Sequence, residues 1–467
     1  MVFSSPTFLF LFLPLFLAGY YLFPPKTRPL WILAGSWIFY GWWRLDFLGL
    51  LILSSFGAAF IGKRIHHAPS QLRRRMWMVC GVTLALGVLG YFKYFNFGVH
   101  VVSQVLQGLG RRELSVWSVV LPVGISFYIF QIISYLVDVY RGTAPVGRSY
   151  VDVMAYISLF PQLVAGPIVR YSDIADQLVQ RTHSWKRFDR GARRFMIGLA
   201  RKVLIADALA PMADVAFNTA NPGFVLAWIG LSAYALQIYF DFAAYSDMAI
   251  GLGEMMGFTF PENFNTPYHS QSITEFWRRW HMTLSRWLRD YLYIPLGGSR
   301  HGSIRTLINL FLVMLLGGLW HGAAGTFILW GAWHGIWLVA ERSAELGKSR
   351  IRTMAIVLTG WVLFRATSVA SAMQYGRALI GLDGIALPLE AVWQLPVSGY
   401  AMLIVAGVIA LWEPRLMGLG VTSFSIPPWM RWHRGVVPRV IVPGTLFVFS
   451  VIRLLAASYS PFLYFQF

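Results

Sequence analysis

One cysteine, Cys80, in 467 residues leaves no intrachain disulfide and no cysteine-built metal cluster. Charge is scarce as well. Only 13% of the residues are Asp, Glu, Lys or Arg, and the 20 acidic residues are outnumbered by 39 basic ones. No polar stretch is long enough to host a separate soluble domain, which argues for a single domain over 1–467. The glycine-rich phosphate loop, the GxSxG nucleophile elbow, HExxH and paired CxxC are all missing. These absences remove the commonest nucleotide, serine-hydrolase and zinc chemistries, and no metal is expected.

What is present in their place is apolar. Hydrophobic residues make up 57% of the chain and aromatic residues 16%. Apolar runs of about 20 residues recur throughout, the signature of a polytopic integral membrane protein. With the backbone required to satisfy itself in lipid, such runs predict an all-α fold. They fall near 7–23, 29–43, 46–62, 77–95, 119–138, 193–216, 224–251, 304–320, 322–340, 353–368, 398–413 and 437–457, roughly 11–12 crossings. The first has no basic residue before it, so a retained span is expected rather than a cleaved leader. Residues 151–170, broken by Pro161, Gly166 and Pro167, read as re-entrant.

The net charge of +19 sits between these runs. That distribution points to cytoplasmic loops and anionic lipid, and to no nucleic acid. The basic loop Lys63–Arg75 and the stretch 170–202 are both assigned to the cytoplasmic side.

Polar chemistry concentrates in 272–335. Trp277, Trp280, Leu284, Trp287, Leu288 and Tyr291 recur at spacings of three and four, which predicts one amphipathic helix ended by Pro295 and Gly297–Gly298. Arg278, Arg279, Arg286 and Arg289 take the other side, a pattern suited to a membrane interface. On a plain reading of periodicity that helix is simply a surface element, and His281 at the edge of its apolar stripe is a core histidine.

His321 stands between Trp320 and Gly322 after an apolar run, and His334 lies in the next. On one continuous helix, the 13 positions between them would place them on opposite faces, ~20 Å apart. His321 has the stronger functional claim, because flanking glycines permit close approach and an ionisable group within the membrane is costly. Asp241 and Asp247 share one apolar run, six positions apart, and can orient a histidine or pair with an arginine.

The block FWRRWHMTLSRWLRDYLYIPLGG with the later LWHG resembles the membrane-bound O-acyltransferases (MBOAT), most closely their bacterial alginate O-acetyltransferase-like branch. So do LPVGISFYIFQIISYLVDVYRG (121–142), PQLVAGPIVRYSDIADQL (161–178), DFAAYSDMAIGLG (241–253), FPENFNTPY (260–268) and SPFLYFQF (460–467), in family order. The resemblance implies an MBOAT-like bundle with re-entrant and interfacial helices, and a catalytic histidine at His321. His281 takes the place of the family's second polar position, and Asp241 is expected to support it. Arg278 and Arg279 become candidates for the donor's phosphates, since a guanidinium matches phosphate geometry.

It further implies no bound cofactor, acetyl-CoA as acyl donor, and a bacterial inner-membrane location. The implied role is O-acetylation of an exopolysaccharide, directly or through a periplasmic acetyltransferase partner within a polysaccharide export machinery. A transporter or scaffold of such a complex is the alternative, as is acylation of peptidoglycan, cellulose or teichoic acid.

Overall fold

The computed structural model describes residues 1–417 and 440–456, and among these the regular structure is helical throughout. The SPFLYFQF stretch lies outside the described residues. Among the described residues, four helices are long and apolar enough to cross a membrane: Leu45–His67, Gln71–Gly108, Gly223–Met255 and Ser303–His321. Thr7–Leu22, Val397–Glu413 and Val442–Ala456 are apolar but shorter.

The chain divides into two compact units, residues 1–188 with 253–261, and 189–252 with 262–467. The first unit contains α1 (Leu13–Leu22), α2 (Arg28–Gly41), α3 (Leu45–His67), α4 (Gln71–Gly108), α5 (Ile125–Arg141), α6 (Tyr150–Ser158), α7 (Phe160–Leu163) and α8 (Tyr171–Val179). The helix α5 is buried almost all round and packs against α3 and α4. Cys80 is exposed on α4. An apolar, exposed position on a long apolar helix is what a lipid-facing surface contains.

The broken stretch 151–170 is buried, and its irregular backbone is satisfied by protein. Tyr156 donates to the Val169 carbonyl at 2.9 Å, and Gln162 Nε2 to the Tyr156 carbonyl at 2.7 Å. This is how non-helical backbone survives at membrane depth.

The second unit is built from most of α9 (Trp185–Ala200), α10 (Asp207–Asn218), most of α11 (Gly223–Met255), α12 (Ile273–Arg279), α13 (Met282–Leu288), α14 (Ser303–His321), α15 (Gly325–Ser343), α16 (Arg350–Arg365), α17 (Val369–Leu379), α18 (Leu389–Gln394), α19 (Val397–Met417) and α20 (Val442–Ala456). A π-helical turn, Arg201–Ala206, joins α9 to α10.

Two departures from the sequence reading shape this unit. The 272–293 block is not one helix: α12 ends at Arg279, Trp280 is extended, and His281 turns the chain at φ +42 before α13 begins. Likewise, α14 and α15 are not continuous. They form a hairpin through the extended Gly322, with Gly318 of one helix against Gly331 of the other. A Cβ on Gly331 would come 2.5 Å from the Met314 carbonyl oxygen, so only glycine permits this approach.

Candidate active site

The tight α14–α15 hairpin delivers His321 to the end of its helix and folds Trp330 back against it, rings 5.0 Å apart. Trp320 at 4.9 Å and Phe364 of α16 at 5.3 Å complete an aromatic box around a histidine that is only 7% exposed. His334, one turn further along α15, contacts the same Trp330 at 5.1 Å. The chain reversal therefore brings both histidines to one tryptophan, whereas a continuous helix would have separated them. Fully buried His334 also contacts Trp277 and Phe276.

His321 and Trp330 line a cavity of about 1100 Å³. Leu284, Leu288, Leu307 and Leu310 form part of its apolar wall, while exposed Arg278, Arg289, Arg342 and Lys348 lie on its polar side. An apolar wall beside a rim where Arg278, Arg289, Arg342 and Lys348 outnumber Glu341 and Glu345 suits a long, phosphate-bearing ligand. At one edge Glu341 accepts from the backbone of Ile273 at 2.5 Å and Thr274 at 3.0 Å, anchoring α12 to α15 through the positive end of α12.

The two arginines singled out on α12 differ. Arg278 is exposed and lines the cavity. Arg279 is tied to Glu275 at 2.8 Å, to the Thr266 hydroxyl at 3.0 Å and to the Asn265 carbonyl at 3.4 Å, so it braces the 265–281 corner.

His281 is fully buried, edge-on to Phe242 at 4.7 Å and 6.3 Å from Trp320. Burial pushes its pKa down, to about 3. Its Nδ1 lies 3.1 Å from Asn263 Oδ1. The carboxylate expected beside it has another attachment: Asp241 pairs with Lys202 at 2.9 Å, and Lys202 also reaches Asp207 at 2.5 Å. Asp247 joins Arg194 and Arg201, both at 2.9 Å, and these extend to Glu262 and Glu413. Tyr239 donates to Glu413. The π turn presents consecutive cations, Arg201 and Lys202, to the carboxylates of α11, and such turns recur at functional sites.

Residues 142–375 match the membrane-bound O-acyltransferase family, MBOAT. Over the full length of both chains, the protein is 46% identical to a probable alginate O-acetylase AlgI of Pseudomonas putida and 45% identical to one of Azotobacter vinelandii. The chain belongs to the MBOAT family. A peptidoglycan O-acetyltransferase of Helicobacter pylori is 35% identical over 83% of this chain and 81% of its own. The protein is thus a multi-pass membrane acyltransferase, and no group of three or more His, Cys, Asp or Glu among the described residues can hold a metal.

Within this MBOAT chain, sequence reasoning passed over Asn263, Trp330, Arg201 and Lys202. The signal for the last two was available: an arginine and a lysine inside an apolar run, with two carboxylates in the next. Asn263 and Trp330 gave no sign of their roles, which come from chain reversals that periodicity does not encode.

Proposed function

We propose that this acyltransferase takes acetyl from cytoplasmic acetyl-CoA and passes it across the bacterial inner membrane for O-acetylation of an exopolysaccharide of the alginate type, directly or by way of a periplasmic acetyltransferase. The observation that carries the reading is the cavity, which combines an exposed basic rim at Arg278, Arg289, Arg342 and Lys348 with a buried histidine at His321. The naming of full-length relatives as probable alginate O-acetylases supports the choice of polymer.

In this mechanism His321 is the general base. It removes the proton from the acceptor hydroxyl as that oxygen attacks the thioester carbonyl. A tetrahedral adduct forms, the C–S bond breaks, and the imidazolium returns its proton to the leaving thiolate, giving the ester and free CoA. The aromatic box excludes water, which would otherwise compete as acceptor. His281 supports the reaction from its buried corner, and Arg278 meets the donor's phosphates.

The test is deletion of the gene followed by chemical assay of ester-linked acetate on both exopolysaccharide and peptidoglycan. Loss from the exopolysaccharide alone is expected, with return on complementation. Loss from peptidoglycan alone replaces the proposed acceptor, and no loss from either polymer contradicts the reading.

A further inference from the structure

Asn263 lies on no helix and carries no charge, yet it is fully buried, and every bond to its side chain can be assigned. The Thr283 backbone N–H faces one side-chain atom at 3.2 Å, and an N–H can only donate, so that atom is Oδ1. The Thr283 hydroxyl donates to the same oxygen at 2.8 Å, and Nδ2 donates to Ser246 Oγ at 3.0 Å. The orientation of the amide is therefore fixed by its partners rather than chosen.

The remaining contact of Oδ1 is His281 Nδ1 at 3.1 Å. An amide oxygen has no proton to give, so Nδ1 must carry the hydrogen. In a neutral imidazole the lone pair then resides on Nε2. The corner itself depends on the same residue. His281 sits at φ +42, a left-handed conformation that is strained for any residue other than glycine. The Asn263 carbonyl accepts from Met282 N–H at 2.9 Å, and Asn265 N–H donates to Arg279 O at 2.9 Å, pinning both sides of the turn.

We propose that Asn263 is a positioning residue that locks His281 in the Nδ1–H tautomer and holds its strained turn, so that Nε2 can only accept a hydrogen bond during acyl transfer. The importance of this for catalysis rests on the supporting role proposed above for His281; the tautomer does not.

The experiment is ¹⁵N NMR of histidine-labelled protein in lipid, with the His281 signals assigned by their absence in His281→Gln, together with pH–rate profiles of Asn263→Asp and Asn263→Leu. Wild-type His281 is expected to show a protonated Nδ1 and an unprotonated Nε2; the reverse tautomer overturns the proposal. Asn263→Asp keeps an acceptor but places a carboxylate against the ring. It should raise the pH at which His281 Nε2 takes up a proton by about 1–3 units, read in the same ¹⁵N spectra, with transfer recovered above that pH. Asn263→Leu, which has no acceptor, should lose kcat on the order of 10²-fold at every pH, with KM for acetyl-CoA little changed.

A folded Asn263→Leu with wild-type kcat and pH profile would contradict the positioning role. If wild-type protein transferred no acetyl at all, the functional reading would fail while the NMR result still decided the tautomer.

Discussion

His281 shows how much one residue's surroundings alter its chemistry. Burial favours the neutral ring, so the folded protein holds its pKa near 3 while the unfolded chain protonates near the ordinary value of about 6.5. Between those values the unfolded state binds more protons, and stability falls as pH is lowered from about 6.5 toward 3. The slope is at most about 1.4 kcal/mol per pH unit for the one proton. Chemical denaturation of wild type and His281→Gln between pH 7 and pH 5 should therefore diverge, with the variant the less acid-sensitive. Equal acid sensitivity would mean the ring is not held neutral. In activity, His281→Gln should retain more than His281→Ala, because the glutamine amide can still donate toward Asn263 Oδ1. His321 was legible as a candidate because a histidine between Trp320 and Gly322 in an apolar run is costly. The partner of His281 was not, since a local pattern gives no view of a residue 18 positions earlier.

At the scale of elements, the apolar runs translate well into helices. The predicted spans near 46–62, 224–251 and 304–320 correspond to α3, α11 and α14, because hydropathy over about 20 residues records how much backbone needs burying. Reversals are where the reading fails. The stripe Trp277–Trp280–Leu284–Trp287 keeps helical spacing across a break at Trp280–His281, so periodicity continues while the backbone does not. The glycines of the α14–α15 hairpin are equally silent in hydropathy. Gly331→Leu should push the helices apart and lower stability by about 1–3 kcal/mol or more, measurable as a lower melting temperature with loss of activity. On α12, charge reversal at the cavity-lining Arg278 should raise KM for acetyl-CoA at least about twofold with little change in stability. Arg279→Ala should do the opposite, because it removes bonds to Glu275 and Thr266. Unchanged KM in Arg278→Glu would leave that residue as an ordinary surface charge.

For the whole molecule, the family and the all-helical membrane architecture were both readable from the motif block and the apolar runs. An arginine partner for Asp247 was readable too, but the full buried charge chain of Arg194, Asp247, Arg201 and Glu413 was not, because its members come from α9, α11, α19 and the π turn. Removing one partner leaves buried cations under-compensated, and Asp247→Ala should destabilise the protein by on the order of 3 kcal/mol. Detergent-solubilised Asp247→Ala that melts like wild type would show the chain to be dispensable. The claim on which the functional account stands is that His321 moves the proton in acyl transfer. It is tested most directly by purified, reconstituted wild-type and His321→Ala proteins supplied with acetyl-labelled CoA and a hydroxyl acceptor, after both are shown to melt at the same temperature. The account predicts a loss on the order of 10²–10⁴-fold in the variant's transfer rate. Transfer by His321→Ala at the wild-type rate would contradict it.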